Sequence, residues 1–294
     1  MSALNKIGAR DKDVLYAVFT DLDGSLLDHN SYRYDHAVRQ IHELRRLGIP
    51  LIFVSSKTKA EIVRLRNQMG NSDPFIVENG SAIFIPKHYF DQTGHAGESA
   101  SEYEILELAE SRERWLEQLD KLERHYYGEF VNFEKLPVRE LMNLTGLSYQ
   151  DAKFAADRHY TEPVKWLGTD ERKDLFISVL EEVGAQVETG GRFLSVGGCS
   201  NKGHAVTCLR NIFVERSRWE SVIDLAIGDS NNDRSMLEIS KEALLIRSPN
   251  HNFPVLTRKT GVFKSKAFGP IGWAEGVSAW LERYRLTAGI INHG

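Results

Sequence analysis

The feature that most constrains the fold of this chain is a pair of short apolar runs, each followed at once by an acidic loop. Residues 14–19 read VLYAVF and lead into Asp21, and residues 222–227 lead into Gly228 and Asp229. The first run has no polar alternation, which is typical of a strand covered by helices on both faces of a parallel sheet. Because the carboxyl ends of parallel strands meet at one edge of a sheet, the two acidic loops are predicted to lie side by side.

The pattern along the rest of the chain predicts two domains. Apolar runs alternate with helical patterns up to about residue 85 and again from about residue 202, which indicates βα units. Between them, charged helical segments precede a hairpin signal, TGG at residues 189–191. We therefore predict an α/β fold with a Rossmann-like parallel-sheet core, residues 13–88 and 198–285, that holds an inserted α+β cap, residues 89–197.

Composition and charge exclude several classes of partner. The formal net charge of the 294 residues is −4, so no overall basic character favours nucleic acid or anionic lipid. No apolar run approaches the roughly 20 residues that span a bilayer, and the N-terminus lacks the apolar core of a signal peptide. Cys199 and Cys208 have no CxxC spacing and are predicted to be free thiols. We expect a cytoplasmic protein that binds neither nucleic acid nor membranes.

The strongest chemical signal is the pair of acidic loops, DLDGS at residues 21–25 and GDSNND at residues 228–233. Two carboxylates in one loop can take two different roles in phosphoester cleavage. One attacks phosphorus, while the other, protonated, supplies a proton to the leaving oxygen. Their mutual repulsion calls for a cation, and oxygen-rich clusters suit Mg²⁺. Each loop alone could be an ordinary turn or helix cap, but two acidic strand ends in one α/β chain favour a functional site.

Histidines near the first acidic loop do not indicate a zinc site. His29, His36 and His42 lack the spacing of converging zinc ligands, and hard Mg²⁺ disfavours imidazole. The predicted metal site is therefore built from oxygen ligands alone.

These two motifs resemble the first and fourth motifs of the haloacid dehalogenase superfamily, DxDG[ST] and GDxxND. The resemblance implies that Asp21 is the nucleophile and that Asp23 is the general acid and base. It also implies a Mg²⁺ ion bound by Asp21, by the backbone carbonyl of Asp23 and by Asp229, with Asn232 and Asp233 supporting the metal shell.

Two weaker signals fit the remaining motifs of that superfamily. The family places a phosphate-binding hydroxyl after the second strand, where this chain has Ser55 and Ser56. Alignment of the strand end favours Ser56, with Ser55 as the alternative. Lys202 matches the lysine that offsets the charge of nucleophile and phosphoryl group. A lysine at a helix start opposes the helix dipole, and this local cost favours a functional role.

Longer stretches resemble one group within the superfamily, the mannosyl-3-phosphoglycerate phosphatases. These stretches are VSSKTKAEI, VENGSAIFIP, TGLSYQDAKFAADRHYTEPVKW, GGRFLSV and GPIGWAEGVSAWL. The resemblance implies a phosphorylated sugar or glycerate as the substrate and a large α/β cap that selects it. The predicted cap residues for hydroxyl and carboxylate groups are Arg158, Thr161, Glu162 and Arg192.

Three alternatives remain open at the level of sequence. The substrate could be another sugar phosphate, such as glucosyl-3-phosphoglycerate or sucrose phosphate. A phosphomannomutase-like transferase shares the motifs and the cap type. A non-catalytic ligand-binding protein is the remaining alternative, against which the intact Asp21, Asp23, Lys202 and Asp229 argue.

Overall fold

The computed structural model describes residues 13–90, 102–189 and 192–286. Gly190 and Gly191 of the predicted hairpin turn, and the polar stretch 91–101, lie outside the described residues. The chain divides into two compact units. Of the described residues, the first unit comprises 13–54, 85–90, 102–103 and 202–286, and the second comprises 55–84, 104–189 and 192–201.

The strands of the described residues are, in chain order, β1 (Val14–Thr20), β2 (Leu51–Val54), β3 (Phe75–Val77), β4 (Ala82–Pro86), β5 (Tyr103–Glu107), β6 (Phe130–Asn132), β7 (Glu162–Trp166), β8 (Gln186–Thr189), β9 (Leu194–Gly197), β10 (Ser221–Gly228), β11 (Glu242–Arg247) and β12 (Val262–Phe268). The α-helices are α1 (Val38–Leu47), α2 (Lys59–Met69), α3 (Arg112–Leu122), α4 (Val138–Thr145), α5 (Tyr149–Ala156), α6 (Asp170–Glu182), α7 (Lys202–Arg216), α8 (Arg234–Ile239) and α9 (Gly269–Arg283). None of these helices combines the length and the apolar character needed to cross a bilayer.

The first unit contains a parallel sheet with the strand order β12-β11-β10-β1-β2. Strand β1 lies inside this sheet, between β10 and β2, and Leu15, Ala17, Val18 and Phe19 are fully buried. Because the run is apolar at successive positions, both faces of the strand can be buried. The predicted α/β class with a parallel core is confirmed.

Helix α9 packs closely against this sheet. Pro270 occupies the first turn, where a missing N–H costs no hydrogen bond. The Trp273 indole Nε1–H donates to the Thr20 hydroxyl at 2.9 Å, and both residues are fully buried. At Gly276 an added Cβ would collide with the side chain of Leu244, so glycine permits the close approach. These contacts fix the end of β1 just before Asp21.

The second unit has an antiparallel sheet of its own, with the order β6-β7-β9-β8. Helices α3 and α6 bury apolar side chains with this sheet in one core that includes Trp115, Leu119, Val164, Phe176 and Leu180. The predicted hairpin is confirmed, since β8 pairs antiparallel with β9, Thr189 with Leu194. Strands β3 and β4 also belong mainly to this unit and pair antiparallel, Phe75 with Phe84.

Candidate active site

Strands β1 and β10 bring the two acidic loops to the same edge of the parallel sheet. Thr20 at the end of β1 is in register with Ile227, one residue before the end of β10. The ladder continues for one more hydrogen bond, from the Asp21 backbone N–H to the Ile227 carbonyl at 2.8 Å. Asp21 and Asp229 therefore each follow directly after neighbouring strands.

Three carboxylates converge at this edge. One oxygen each from Asp21, Asp229 and Asp233 lies within 4.8 Å of the other two. All three residues are buried, and Asp233 has no exposed surface. Charges of one sign in a buried cluster repel strongly, so the arrangement requires compensating positive charge.

Lys202 provides part of that charge. Its Nζ donates to Asp21 Oδ1 and to Asp233 Oδ1, both at 2.6 Å, and the residue is fully buried. It is the first residue of α7, where the helix dipole disfavours a cation. The two short hydrogen bonds to carboxylates, which are charge-assisted and therefore strong, account for a lysine at this position.

The loop after β1 is closed tightly around Gly24. The Gly24 N–H donates to the Leu27 carbonyl at 3.0 Å, and the Leu27 N–H donates to the Leu22 carbonyl at 2.8 Å. Gly24 has φ of 81°, and an added Cβ would lie 2.6 Å from Asp229 Oδ2. Glycine is required here both by the left-handed backbone and by the aspartate packed on it.

The loop after β10 is organised by Asp233. Its Oδ2 accepts from the backbone N–H groups of Asp229 at 2.9 Å and Ser230 at 3.0 Å, while its Oδ1 accepts from Lys202. The Ser230 hydroxyl donates to Asn232 Oδ1 at 2.5 Å. Asp233 thus joins the position of Asp229 to that of Lys202, whereas Asn232 supports the loop through Ser230.

Burial changes the proton affinity of the cluster. Burial, with repulsion from Asp233, raises the pKa of Asp229 to about 7. Burial also raises the pKa of Asp21, an effect that the Lys202 ammonium opposes and that the nearby Asp233 and Asp229 carboxylates reinforce. For Lys202, burial would lower the pKa, but the carboxylates of Asp21 and Asp233 outweigh it and hold the pKa above its usual range.

The cluster fits a divalent cation. Its donor set consists of carboxylate oxygens, the ligands that hard divalent ions prefer. One lysine cannot neutralise three carboxylates, and the pKa of Asp229 is raised by burial and, to a smaller extent, by repulsion from Asp233. Asp23 lies in the same loop, where its backbone forms an isolated bridge with Leu27; the side chain is partly buried.

One residue at this edge had no sequence signal. His251, in the loop after β11, places its Nε2 at 3.2 Å from Asp229 Oδ2, with its side chain 38% exposed. Its Nδ1 lies 3.1 Å from the Asn252 carbonyl oxygen. A histidine in a polar loop downstream of the motif does not stand out in the sequence, because only the fold brings it to Asp229.

The two predicted phosphate-binding serines lie in the second unit, at the turn before α2. Ser55 is buried, its hydroxyl accepts from the Lys57 N–H at 3.2 Å, and its carbonyl accepts from the Asn79 N–H at 2.9 Å. Ser56 is partly buried, and its carbonyl accepts from Arg158 Nη2 at 3.0 Å. Both serines precede a capping box formed by Thr58 and Glu61.

The predicted cap residues lie in three different settings. Arg158 and Thr161 contact one another, because the Arg158 guanidinium donates to the Thr161 hydroxyl at 2.7 Å. Glu162 is fully buried and accepts from Arg112 Nε at 2.5 Å and from the Glu134 N–H at 2.9 Å. These contacts hold Glu162 in the interior of the second unit. Arg192 is exposed and donates to the Thr145 carbonyl at 3.1 Å.

The sequence matches a family of hydrolases, which agrees with the chemistry of the acidic cluster. Residues 18–252 match the family model described as haloacid dehalogenase-like hydrolase. A glucosyl-3-phosphoglycerate/mannosyl-3-phosphoglycerate phosphatase of Methanococcoides burtonii is 32% identical over 258 residues, which cover 88% of this chain and 94% of that protein. A mannosyl-3-phosphoglycerate phosphatase of Pyrococcus horikoshii is 36% identical over 239 residues, 80% of this chain and 91% of that protein.

Solved structures show the same fold at low sequence identity. A phosphatase of the haloacid dehalogenase superfamily from Bacteroides thetaiotaomicron superposes with a TM-score of 0.64 at 12% identity, covering 96% of this chain and all of that one (100%). The sucrose-phosphatase of Synechocystis superposes with a TM-score of 0.54 at 15% identity, covering 90% and 97%. At these identities the likeness concerns the fold.

Proposed function

The chain belongs to the haloacid dehalogenase-like hydrolases, and on this premise we propose that it hydrolyses mannosyl-3-phosphoglycerate to mannosylglycerate and inorganic phosphate. The observation that carries the hydrolytic part is the convergence of Asp21, Asp229 and Asp233 around Lys202 at one sheet edge. The substrate is supported by the two relatives whose names include mannosyl-3-phosphoglycerate phosphatase.

Mg²⁺ is the proposed cofactor. Asp21, Asp229 and the backbone carbonyl of Asp23 would hold it, with Asn232 and Asp233 supporting the loop. When bound, the ion would neutralise charge on the phosphoryl oxygens and on the attacking carboxylate. Among divalent ions, Mg²⁺ suits a site of few carboxylates that leaves positions for water and phosphate oxygens.

In the first half of the proposed reaction, a carboxylate oxygen of Asp21 attacks phosphorus in line with the leaving oxygen. A bond from Asp21 to phosphorus forms as the ester P–O bond breaks, and Asp23 gives its proton to the departing glycerate oxygen. The Lys202 ammonium and the Ser56 hydroxyl, or the Ser55 hydroxyl in its place, stabilise the charge on the equatorial oxygens.

In the second half, Asp23 accepts a proton from water as the water oxygen bonds to phosphorus. The bond between Asp21 and phosphorus breaks, which releases inorganic phosphate and restores both aspartates. Since Asp21 must be ionised to attack, the contact with Lys202 matters before the reaction as well as during it.

The inserted segment 89–197 is proposed to act as the substrate-selecting cap. Arg158, Thr161 and Arg192 offer a guanidinium or hydroxyl for the glycerate carboxylate and the sugar hydroxyls. Glu162 belongs to the same proposed set, although the contacts with Arg112 and the Glu134 N–H give it a structural part in the cap. We further propose a cytoplasmic location, which the free thiols Cys199 and Cys208 favour.

A substrate panel tests the proposal. Phosphate release is measured with mannosyl-3-phosphoglycerate, glucosyl-3-phosphoglycerate, sucrose 6-phosphate and mannose 1-phosphate, with Mg²⁺ and with a chelator. The highest kcat/KM is expected for mannosyl-3-phosphoglycerate with Mg²⁺. A preference for an unrelated phosphoester, or isomerised sugar phosphate in place of free phosphate, would contradict it.

One second substrate has specific support. The Methanococcoides burtonii relative is named for both glucosyl-3-phosphoglycerate and mannosyl-3-phosphoglycerate. The two substrates share the phosphoglycerate group and differ in the sugar, so a site that recognises mainly the glycerate would accept both. Similar kcat/KM values for the two would support this dual specificity.

A further inference from the structure

A buried carboxylate of the second unit, Glu78, binds the segment 158–161, which contains two of the proposed cap residues. Its Oε1 accepts from the His159 N–H at 2.9 Å. Its Oε2 accepts from the N–H groups of Tyr160 at 3.2 Å and Thr161 at 2.8 Å, and from the Thr161 hydroxyl at 2.8 Å. Three consecutive backbone N–H groups therefore converge on one side chain that is 1% exposed.

Arg158 neutralises this carboxylate and extends the network. Its Nε lies 3.5 Å from Glu78 Oε2, and its side chain is almost fully buried. The same guanidinium donates to the Thr161 hydroxyl and to the carbonyl of Ser56 at 3.0 Å. Glu78 thus determines where Arg158 and Thr161 lie, while a separate hydrogen bond ties Arg158 to the serine turn.

The backbone at Glu78 is strained. Glu78 has φ of 46° and Asn79 has φ of 60°, so two successive residues other than glycine adopt the left-handed conformation. Such strain persists only where the surrounding contacts determine the conformation, and it is frequent at functional sites. Here the conformation directs the Glu78 carboxylate to the segment 158–161.

A purely structural ion pair in the same chain provides a contrast. Asp224 is also fully buried, and it accepts from Arg210 at 3.2 Å and from the Lys241 N–H at 2.6 Å. None of its partners is a proposed substrate residue. Glu78 differs because its partners include Arg158 and Thr161 themselves, so a change at Glu78 reaches the atoms that would bind substrate.

The geometry points to Glu78 as a positioning residue for substrate recognition. It holds the Arg158 guanidinium and the Thr161 segment in place for the glycerate and sugar part of the substrate, and it does not touch the reacting phosphoryl group. This inference rests on the proposed function. It assigns Glu78 to recognition of the group beyond the phosphate, as distinct from the chemical step.

The test compares a large and a small substrate in Glu78→Gln and Glu78→Ala. Gln keeps the shape and most acceptor contacts but removes the charge, whereas Ala removes every contact. With mannosyl-3-phosphoglycerate, KM is expected to rise about tenfold in Glu78→Gln and about 100-fold in Glu78→Ala, with kcat little changed. With p-nitrophenyl phosphate, which lacks the glycerate and the sugar, kcat/KM should stay within about threefold, as should the inhibition constant of inorganic phosphate.

Asp224→Asn is the matched control for loss of a buried carboxylate. It is expected to lower the unfolding temperature without raising KM for either substrate. Thermal unfolding of each variant identifies losses that come from a smaller folded fraction. If Glu78→Ala does not fold, Glu78→Gln carries the test alone, because the two side chains are nearly isosteric.

Two results would overturn the inference. One is a KM for mannosyl-3-phosphoglycerate within about threefold of the parent in Glu78→Gln. The other is an equal loss on both substrates that follows the loss of folded protein. A parent enzyme that cleaves p-nitrophenyl phosphate but no glycosyl phosphoglycerate would contradict the proposed function instead. The role of Glu78 would then be tested by the same comparison of KM values, with the sugar phosphate of the panel that has the highest kcat/KM as the large substrate.

Discussion

The Lys202 ammonium lies 2.6 Å from Asp21 Oδ1 and 2.6 Å from Asp233 Oδ1, so one buried cation joins the predicted nucleophile to the loop that follows β10. The lysine has no exposed surface. Its removal would leave two buried carboxylates without their partner, a change that is far more costly than loss of a surface ion pair.

Lys202→Met is therefore expected to lower both stability and activity. Breaking a buried pair from one side costs about 3–5 kcal/mol, and urea unfolding of parent and variant measures this difference. Phosphate release should fall at least about 100-fold in the protein that remains folded, because the same ammonium is proposed to stabilise the phosphoryl charge. Lys259→Met, at an exposed lysine, is the control and should change stability by less than about 0.5 kcal/mol. Equal effects of the two substitutions would contradict the role of Lys202.

The contribution of Asp229 to the stability of the metal-free protein should fall as pH rises from 4 to 7. In the folded state the pKa of Asp229 is about 7, against an ordinary value of 3.8, because burial disfavours the charge. Between these two values the folded state binds more protons than the unfolded state, so ionisation of Asp229 opposes folding. Urea unfolding with a chelator at pH 5 and pH 8 should show a smaller decline for Asp229→Asn than for the parent. Parallel pH profiles would contradict the assignment.

Mg²⁺ binding should restore the stability that ionisation of Asp229 removes. Mg²⁺ binds the folded state and competes with protons at Asp229, so it should raise the unfolding temperature more at pH 8 than at pH 5. At 100 times the dissociation constant, the stabilisation is about 2.7 kcal/mol. Thermal unfolding with and without Mg²⁺ measures it, and Asp229→Asn should lose most of the shift. An undiminished shift in that variant would place the metal elsewhere.

Gly24→Ala tests the contact between the two acidic loops. Its backbone φ is 81°, and the added methyl group would meet Asp229 Oδ2 at 2.6 Å. Gly146 is a matched control, since it has φ of 77° but no atom within 4 Å of an added Cβ. Both alanines should cost about 1 kcal/mol of backbone strain. Only Gly24→Ala should weaken Mg²⁺ binding in a thermal shift titration, and equal Mg²⁺ affinities would contradict the proposed geometry.

The parallel core could be predicted because its signals are local. The unbroken apolar run of β1 and the glycines that end helices act over a few residues, and Gly48 and Gly70 both adopt the left-handed conformation at helix ends. The position of Asp21 beside Asp229 follows from the general rule that parallel strands end at one edge. The residue types at that edge then indicate the chemistry.

Other parts of the structure depend on contacts between distant segments. The sequence pattern does not predict strand β5, and the antiparallel pairing of β3 with β4 departs from the expected series of βα units. The resemblance predicts Glu162 at a substrate site, and its partner Arg112 in α3 cannot be predicted from the stretch that carries this resemblance. The hydrogen bonds of Glu78 could not be predicted for the same reason, because the acceptor and its donors are far apart in the chain.

Trapping of a phosphoenzyme tests the central claim most directly. The parent enzyme is mixed with Mg²⁺ and mannosyl-3-phosphoglycerate labelled with ³²P, quenched in acid within the first turnover, and digested for peptide analysis. The label is expected on the peptide that carries Asp21, and neither label nor turnover is expected in Asp21→Asn, which keeps nearly the same shape. Full turnover by Asp21→Asn, or label on a different residue, would contradict the account.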